Sequence, residues 1–165
     1  MKNLFGFVLI LFAMISCTNG GGIYFEKTIP LEKHNWQRFH KIDFKVPVKK
    51  DELLDFSMIF KYNDDFKGMW LPVNITFDAP GGETRTMNYR FSLFDRKTHK
   101  KLGTTVDHTT TIVIPIRKEM PFFANGNCVV SIEKRIPKMD TYGIEMIGLK
   151  AVKSQFKETS KEKNR

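Results

Sequence analysis

The sequence predicts an all-β fold, an antiparallel β-sandwich of about eight strands in the Ig-like or jelly-roll-like manner. Three observations carry this. Apolar residues return at every second position in run after run, the period of a strand packed on one side. Proline, glycine and asparagine punctuate the runs where turns are needed. No stretch repeats its apolar residues over three helical turns, and Lys49 to Leu54 offers at most one short turn.

The first element is a leader. Met1-Lys2-Asn3 is followed by an apolar run from Leu4 to Ile15, broken only by Gly6. A membrane-spanning helix needs about 20 apolar residues, so this run reads as a secretory signal peptide over residues 1–16. Met14-Ile15-Ser16-Cys17 resembles the lipobox of bacterial lipoproteins, with Met14 where leucine is preferred. In a lipobox the cysteine is acylated and becomes the first mature residue, so the resemblance makes Cys17 the lipidation site and the anchor to the membrane. Several acyl chains are needed for a firm hold, since one binds only marginally. Residues 17–22, Cys17 to Gly22, then form a flexible tether rich in glycine. By resemblance to lipoprotein sorting rules, Thr18 in place of an aspartate directs the protein to the outer membrane. With no acidic cluster after Cys17, the periplasmic leaflet is the expected face.

A single domain is expected over residues 23–152. Tyr24 to Ile29 is a plausible but irregular first strand; Ile42, Phe44, Val46 and Val48 define the second. Phe56, Met58, Phe60 and Tyr62 share one face of the third, and Val73, Ile75 and Phe77 one face of the fourth. Ala79-Pro80-Gly81-Gly82 then signals a hairpin into Met87, Tyr89, Phe91 and Leu93. Ile112, Ile114 and Ile116 follow, Asn125-Gly126-Asn127 opens a strand carrying Cys128, Val130 and Ile132, and Ile144 to Leu149 closes the series. Pro47 and Pro115 sit inside strands, which calls for sheet edges or bulges there.

The chain carries a formal charge of +9. Lys150, Lys153, Lys157, Lys161, Lys163 and Arg165 against Glu158 and Glu162 concentrate much of it near the C-terminus. Residues 153–165 read as a basic tail, disordered and solubilising, with attraction to anionic lipid as the functional alternative. Elsewhere the basic residues are scattered, which argues against a nucleic-acid partner. With Cys17 lipidated, Cys128 has no cysteine partner and reads as a small buried residue of a strand.

Catalytic signals are sparse. His34, His40, His99 and His108 show no metal-seating spacing, and Asp107-His108, read as strand neighbours, point to opposite faces. Asn63-Asp64-Asp65 lacks the spaced ligands of a calcium loop and reads as a polar loop. No cofactor, no metal and no enzymatic activity are expected. The aromatics offer more. Trp36 and Trp70, with Tyr62 and Phe66, are candidates for contact with a partner or a glycan, or else plug the ends of the sandwich.

The order of these features resembles one family. Asn35-Trp36, the alternating Ile42 to Val48, Met69-Trp70-Leu71 and the Pro80-Gly81-Gly82 hairpin follow a lipobox and a strand bearing Tyr24. Then come Leu93-Phe94-Asp95, Lys101-Leu102-Gly103, Val130-Ser131-Ile132-Glu133, Pro137 and Tyr142-Gly143-Ile144. This set is similar to the gliding-motility lipoprotein H family of gliding gram-negative bacteria and their relatives, over about residues 23 to 152. Met87-Asn88-Tyr89-Arg90 departs from the longer motif often found in the family's central strands. The resemblance implies a non-catalytic lipoprotein of the motility and envelope-secretion apparatus that works through other envelope proteins; it carries over no catalytic residue. A glycan-binding envelope lipoprotein is the alternative.

Overall fold

The computed structural model describes residues 22–155, and the leader, Cys17 and most of the C-terminal tail lie outside the described residues. Nine strands appear in the order β1 (Ile23–Pro30), β2 (Lys41–Val48), β3 (Leu53–Asn63), β4 (Trp70–Asp78), β5 (Thr84–Ser92), β6 (Thr104–Val106), β7 (Thr109–Pro121), β8 (Gly126–Lys134) and β9 (Ile144–Lys153). They form two antiparallel sheets, β1-β9-β3-β7-β6 and β2-β8-β4-β5, stacked as a sandwich. A single 3-10 turn, Glu32–His34, interrupts the strands among the described residues.

The alternation in the sequence becomes the core. Ile42, Phe44, Val46 and Val48 of β2 face inward together with Leu71, Val73, Ile75 and Phe77 of β4 and Cys128, Val130 and Ile132 of β8. From the other sheet, Leu54, Phe56, Met58, Phe60 and Tyr62 of β3 meet them. The rings of Phe56 and Phe77 touch edge-to-face across the sheets, their centroids 5.3 Å apart. Each such buried side chain contributes roughly 1.5–3 kcal/mol, so this stripe is what binds one sheet to the other.

The prolines fall where their missing N–H is harmless. Pro47 lies on β2, the outer strand of its sheet. Pro115 lies on β7 beyond Thr109–Thr111, the stretch that β6 covers, and beside an irregularity of the β3–β7 register at Phe56/Ser57. Near it the Tyr89 hydroxyl of β5 donates to the Ile116 carbonyl, joining the edges of the two sheets.

Three details differ from the sequence reading. The short β6 pairs with the start of β7 through threonines, which carry no apolar alternation. Asp107 and His108 are not strand neighbours but the two turn residues between β6 and β7, with φ of 46° and 65°. The last strand runs to Lys153, four residues past the Leu149 at which the sequence pattern ends it.

The two ends of the sandwich differ. At one end β1 begins and β9 finishes, with Ile23 paired to Val152. The turns 49–52, 79–83 and 122–125 share that end. At the other end lie the connections 31–40, 64–69, 93–103 and 135–143.

Candidate functional site

The second end carries a groove of about 680 Å³ between the 64–69 and 135–142 connections. Its centre is Trp70, the first residue of β4, which is half-buried. The Arg90 guanidinium lies 4.8 Å from the Trp70 ring centroid and that of Arg96 5.9 Å away, so the indole presents its face within a cationic frame. Arg90 reaches it because it stands on β5 opposite Pro72, two residues along the neighbouring strand. Met69, Tyr142 and the aliphatic Ile136 add apolar wall; Arg135, Lys138, Asp65 and Asp140 add charged groups of both signs to the lining. Tyr142 is 59% exposed and Met69 60% exposed, an unusual concentration of uncovered apolar surface.

The 135–142 wall is held from behind by two buried groups. Lys134, the last residue of β8, donates to the carbonyls of Lys138 at 2.9 Å and Met139 at 3.2 Å and to the Thr141 hydroxyl at 2.6 Å. Burial pushes its pKa below the ordinary lysine value. Trp36 exchanges backbone hydrogen bonds with Thr141 and donates its indole N–H to the His40 carbonyl at 2.9 Å. Asn35 completes the seam, donating to the Asp140 carboxylate at 2.7 Å and accepting from the Thr141 N–H at 2.9 Å. The wall is therefore fixed, while its outer side stays open.

The candidate aromatics separate accordingly. Trp70 lines the groove. Trp36 has no exposed surface and plugs the end of the sandwich, so it offers nothing to a glycan or a partner. Tyr62 stacks on Phe60 with centroids 5.1 Å apart, and Phe66 packs edge-on to both, so these two are core residues; Phe66 only backs the groove. Their alternation with other inward residues concealed nothing: Tyr62 belongs to the buried face of β3. Cys17 lies outside the described residues. The sequence reading missed Tyr142, Arg90 and Lys134 as parts of one site, because only the β8–β9 connection folding back beside β4 brings them together.

Beside the groove, Asp64 is tied to the Lys101 ammonium at 2.7 Å and to His108 Nδ1 at 2.9 Å. Those two hydrogen bonds hold its carboxyl below the usual carboxylate range. The Asn63 side chain accepts from the Asp65 N–H at 3.0 Å, the local turn of a polar loop. This corner staples three connections of the same end.

Among solved structures, the sandwich is similar to a family 35 carbohydrate binding module from Clostridium thermocellum, at 14% identity and a TM-score of 0.35, covering 79% of this chain and 97% of that one. A likeness of that size carries no argument about ligand. No curated protein sequence matches. A family model does: the GldH lipoprotein model matches residues 23–151, from the first residue of β1 to two residues short of the end of β9, and so takes in strands of both sheets and the groove. With nearly all of the described sandwich inside that match, the chain belongs to the GldH lipoprotein family, the lipoproteins of gliding motility.

Proposed function

We propose that this chain is a non-catalytic outer-membrane lipoprotein, anchored through Cys17 and facing the periplasm, that docks another protein of the gliding or envelope-secretion apparatus in the Trp70 groove. The groove supports this reading: a half-buried indole, flanking arginines, and exposed Met69 and Tyr142 are the residue types that anchor interfaces. Its rigid wall lowers the ordering cost of binding.

The test is site-specific photocrosslinking in native envelopes. A crosslinker at position 70 or 142 should capture one discrete partner, and one at buried position 36 should not. A gliding host lacking the gene should lose motility or adhesin secretion. Capture of nothing at either groove position, with motility intact, would refute the reading.

Glycan binding is the second reading, favoured by the Trp70 face alone now that Trp36 is a plug. Titration with envelope polysaccharides should then change Trp70 emission, and a flat response to all of them removes it.

A further inference from the structure

The end opposite the groove has its own exposed apolar residue. Phe123 is 69% exposed at the tip of the 122–125 connection. That connection is not loose. The Asp51 N–H donates to the Phe122 carbonyl at 2.8 Å, and the Lys50 N–H to the Asn125 side chain at 2.9 Å. Phe122 is buried against Phe56, so the next residue is thrust outward by a fixed neighbour. Lys49 and Lys50 stand exposed in the adjoining turn with Asp51. Glu52 is engaged from within, accepting from the Tyr24 hydroxyl at 2.7 Å and pairing with the Lys153 ammonium at 3.3 Å.

Both described termini leave from this end. The chain enters β1 at Ile23, also exposed, and leaves β9 at Lys153. Cys17 precedes Gly22 by five residues, which span at most about 18 Å when fully extended. A lipid on Cys17 therefore keeps this end at the bilayer. It also leaves the groove a strand's length further out, about 30 Å for the nine residues of β4. The sequence beyond Gln155 carries Lys157, Lys161, Lys163 and Arg165 against Glu158 and Glu162.

We infer that this end is a docking face for a phospholipid surface, with Phe123 entering the headgroup region and Lys49 and Lys50 meeting anionic headgroups. An aromatic tip flanked by lysines suits that boundary, where apolar burial and electrostatic attraction add. The inference rests on the Cys17 anchor, and it deepens that reading from a tether to an oriented body: one end on lipid, the groove presented to the periplasm.

The experiment uses the full chain as the cell processes it, purified from membranes and reconstituted into vesicles of phosphatidylethanolamine and phosphatidylglycerol with brominated acyl chains. Phe123→Trp adds a fluorophore at the tip, while Trp36 and Trp70 lie in the plug and the groove. The emission added at position 123 should be at least halved relative to unbrominated vesicles, and the wild-type emission should not change. Lys49→Glu with Lys50→Glu in the same background should restore much of the lost emission. Unchanged emission at position 123 overturns the proposal, as does equal quenching of the wild-type chain, which would put Trp70 on the lipid. Intact mass keeps the two readings apart. A lipidated chain without quenching sinks the docking face alone, whereas quenching of a chain without acyl groups sinks the anchor and keeps the face.

Discussion

The ammonium of Lys134 donates to the Thr141 hydroxyl at 2.6 Å from a residue only 3% exposed. A buried lysine is costly unless its donors are used, and here three oxygens of a single connection use them. The contact thus links the end of β8 to the groove wall. Replacing Lys134 with alanine leaves those acceptors without their donor and opens a void behind the wall. We expect a loss of about 2–3 kcal/mol in urea unfolding. Amide exchange should accelerate at residues 138–141 well before the rest of the sandwich. Uniform acceleration would mean that Lys134 supports the whole fold and has no particular hold on the wall.

The two tryptophans should behave oppositely. Iodide should quench Trp70 strongly, because Arg90 and Arg96 attract the anion to an accessible ring, and caesium should quench it much less. Trp36, fully buried with its N–H satisfied, should resist both ions. Trp36→Ala should cost about 3–5 kcal/mol of stability, Trp70→Ala less than about 1 kcal/mol. Trp36→Phe and Trp70→Phe, each leaving one indole, assign the quenching to its ring.

Most of the fold was legible because a strand buried on one side writes its period into the sequence. Ile42, Phe44, Val46 and Val48 all turned inward, and Pro47 lay on the edge strand its missing donor requires. The β6–β7 hairpin was not legible, since Thr104 to Thr111 carries polar and β-branched residues without alternation. For the same reason Asp107 and His108 read as strand when they are a turn. The groove was half legible. Trp70 stood out as a large ring at a strand's head, but Trp36 stood out equally. Their difference in burial is set by the β8–β9 connection, which pairs with Trp36 on one side and leaves Trp70 open on the other. That is a contact between segments about a hundred residues apart, and local pattern does not encode it.

The Cys128 thiol should be inert in the folded chain. It has no exposed surface, and burial pushes its pKa up to about 12 from 9.0. Both states hold the proton below pH 9. Between pH 9 and 12 the unfolded thiol ionises and the folded one does not, so stability falls as pH rises through that window. By pH 10.5 the loss from this group is about 2 kcal/mol. Cys128→Ala should therefore unfold with a shallower alkaline dependence than wild type, even if it is less stable at pH 7. Parallel stability curves for the two chains would contradict the assignment. A thiol reagent should modify Cys128 at the rate of unfolding.

Gly143 should tolerate replacement poorly. It precedes β9 with φ of 81°, in the left-handed region that residues with a Cβ adopt at a cost. A Cβ there would fall onto the backbone nitrogen of Phe66 and crowd the Asp65 carbonyl carbon and the Asn63 side chain. The Gly143 carbonyl meanwhile accepts the Asn63 N–H at 2.8 Å, closing the end of β3. The two connections that wall the groove are thus in backbone contact at this point, and neither can give way without opening the β3–β9 ladder. Gly143→Ala should destabilise by about 3 kcal/mol or more, since strain and steric overlap add. Gly82→Ala, in the 79–83 hairpin with φ of 88° but open space around it, carries the strain without the overlap and should cost only about 1 kcal/mol. Thermal melts of the two variants side by side test this. Equal losses would show that backbone angle alone governs both positions, and that the close approach of Gly143 to Phe66 does not set the groove's width.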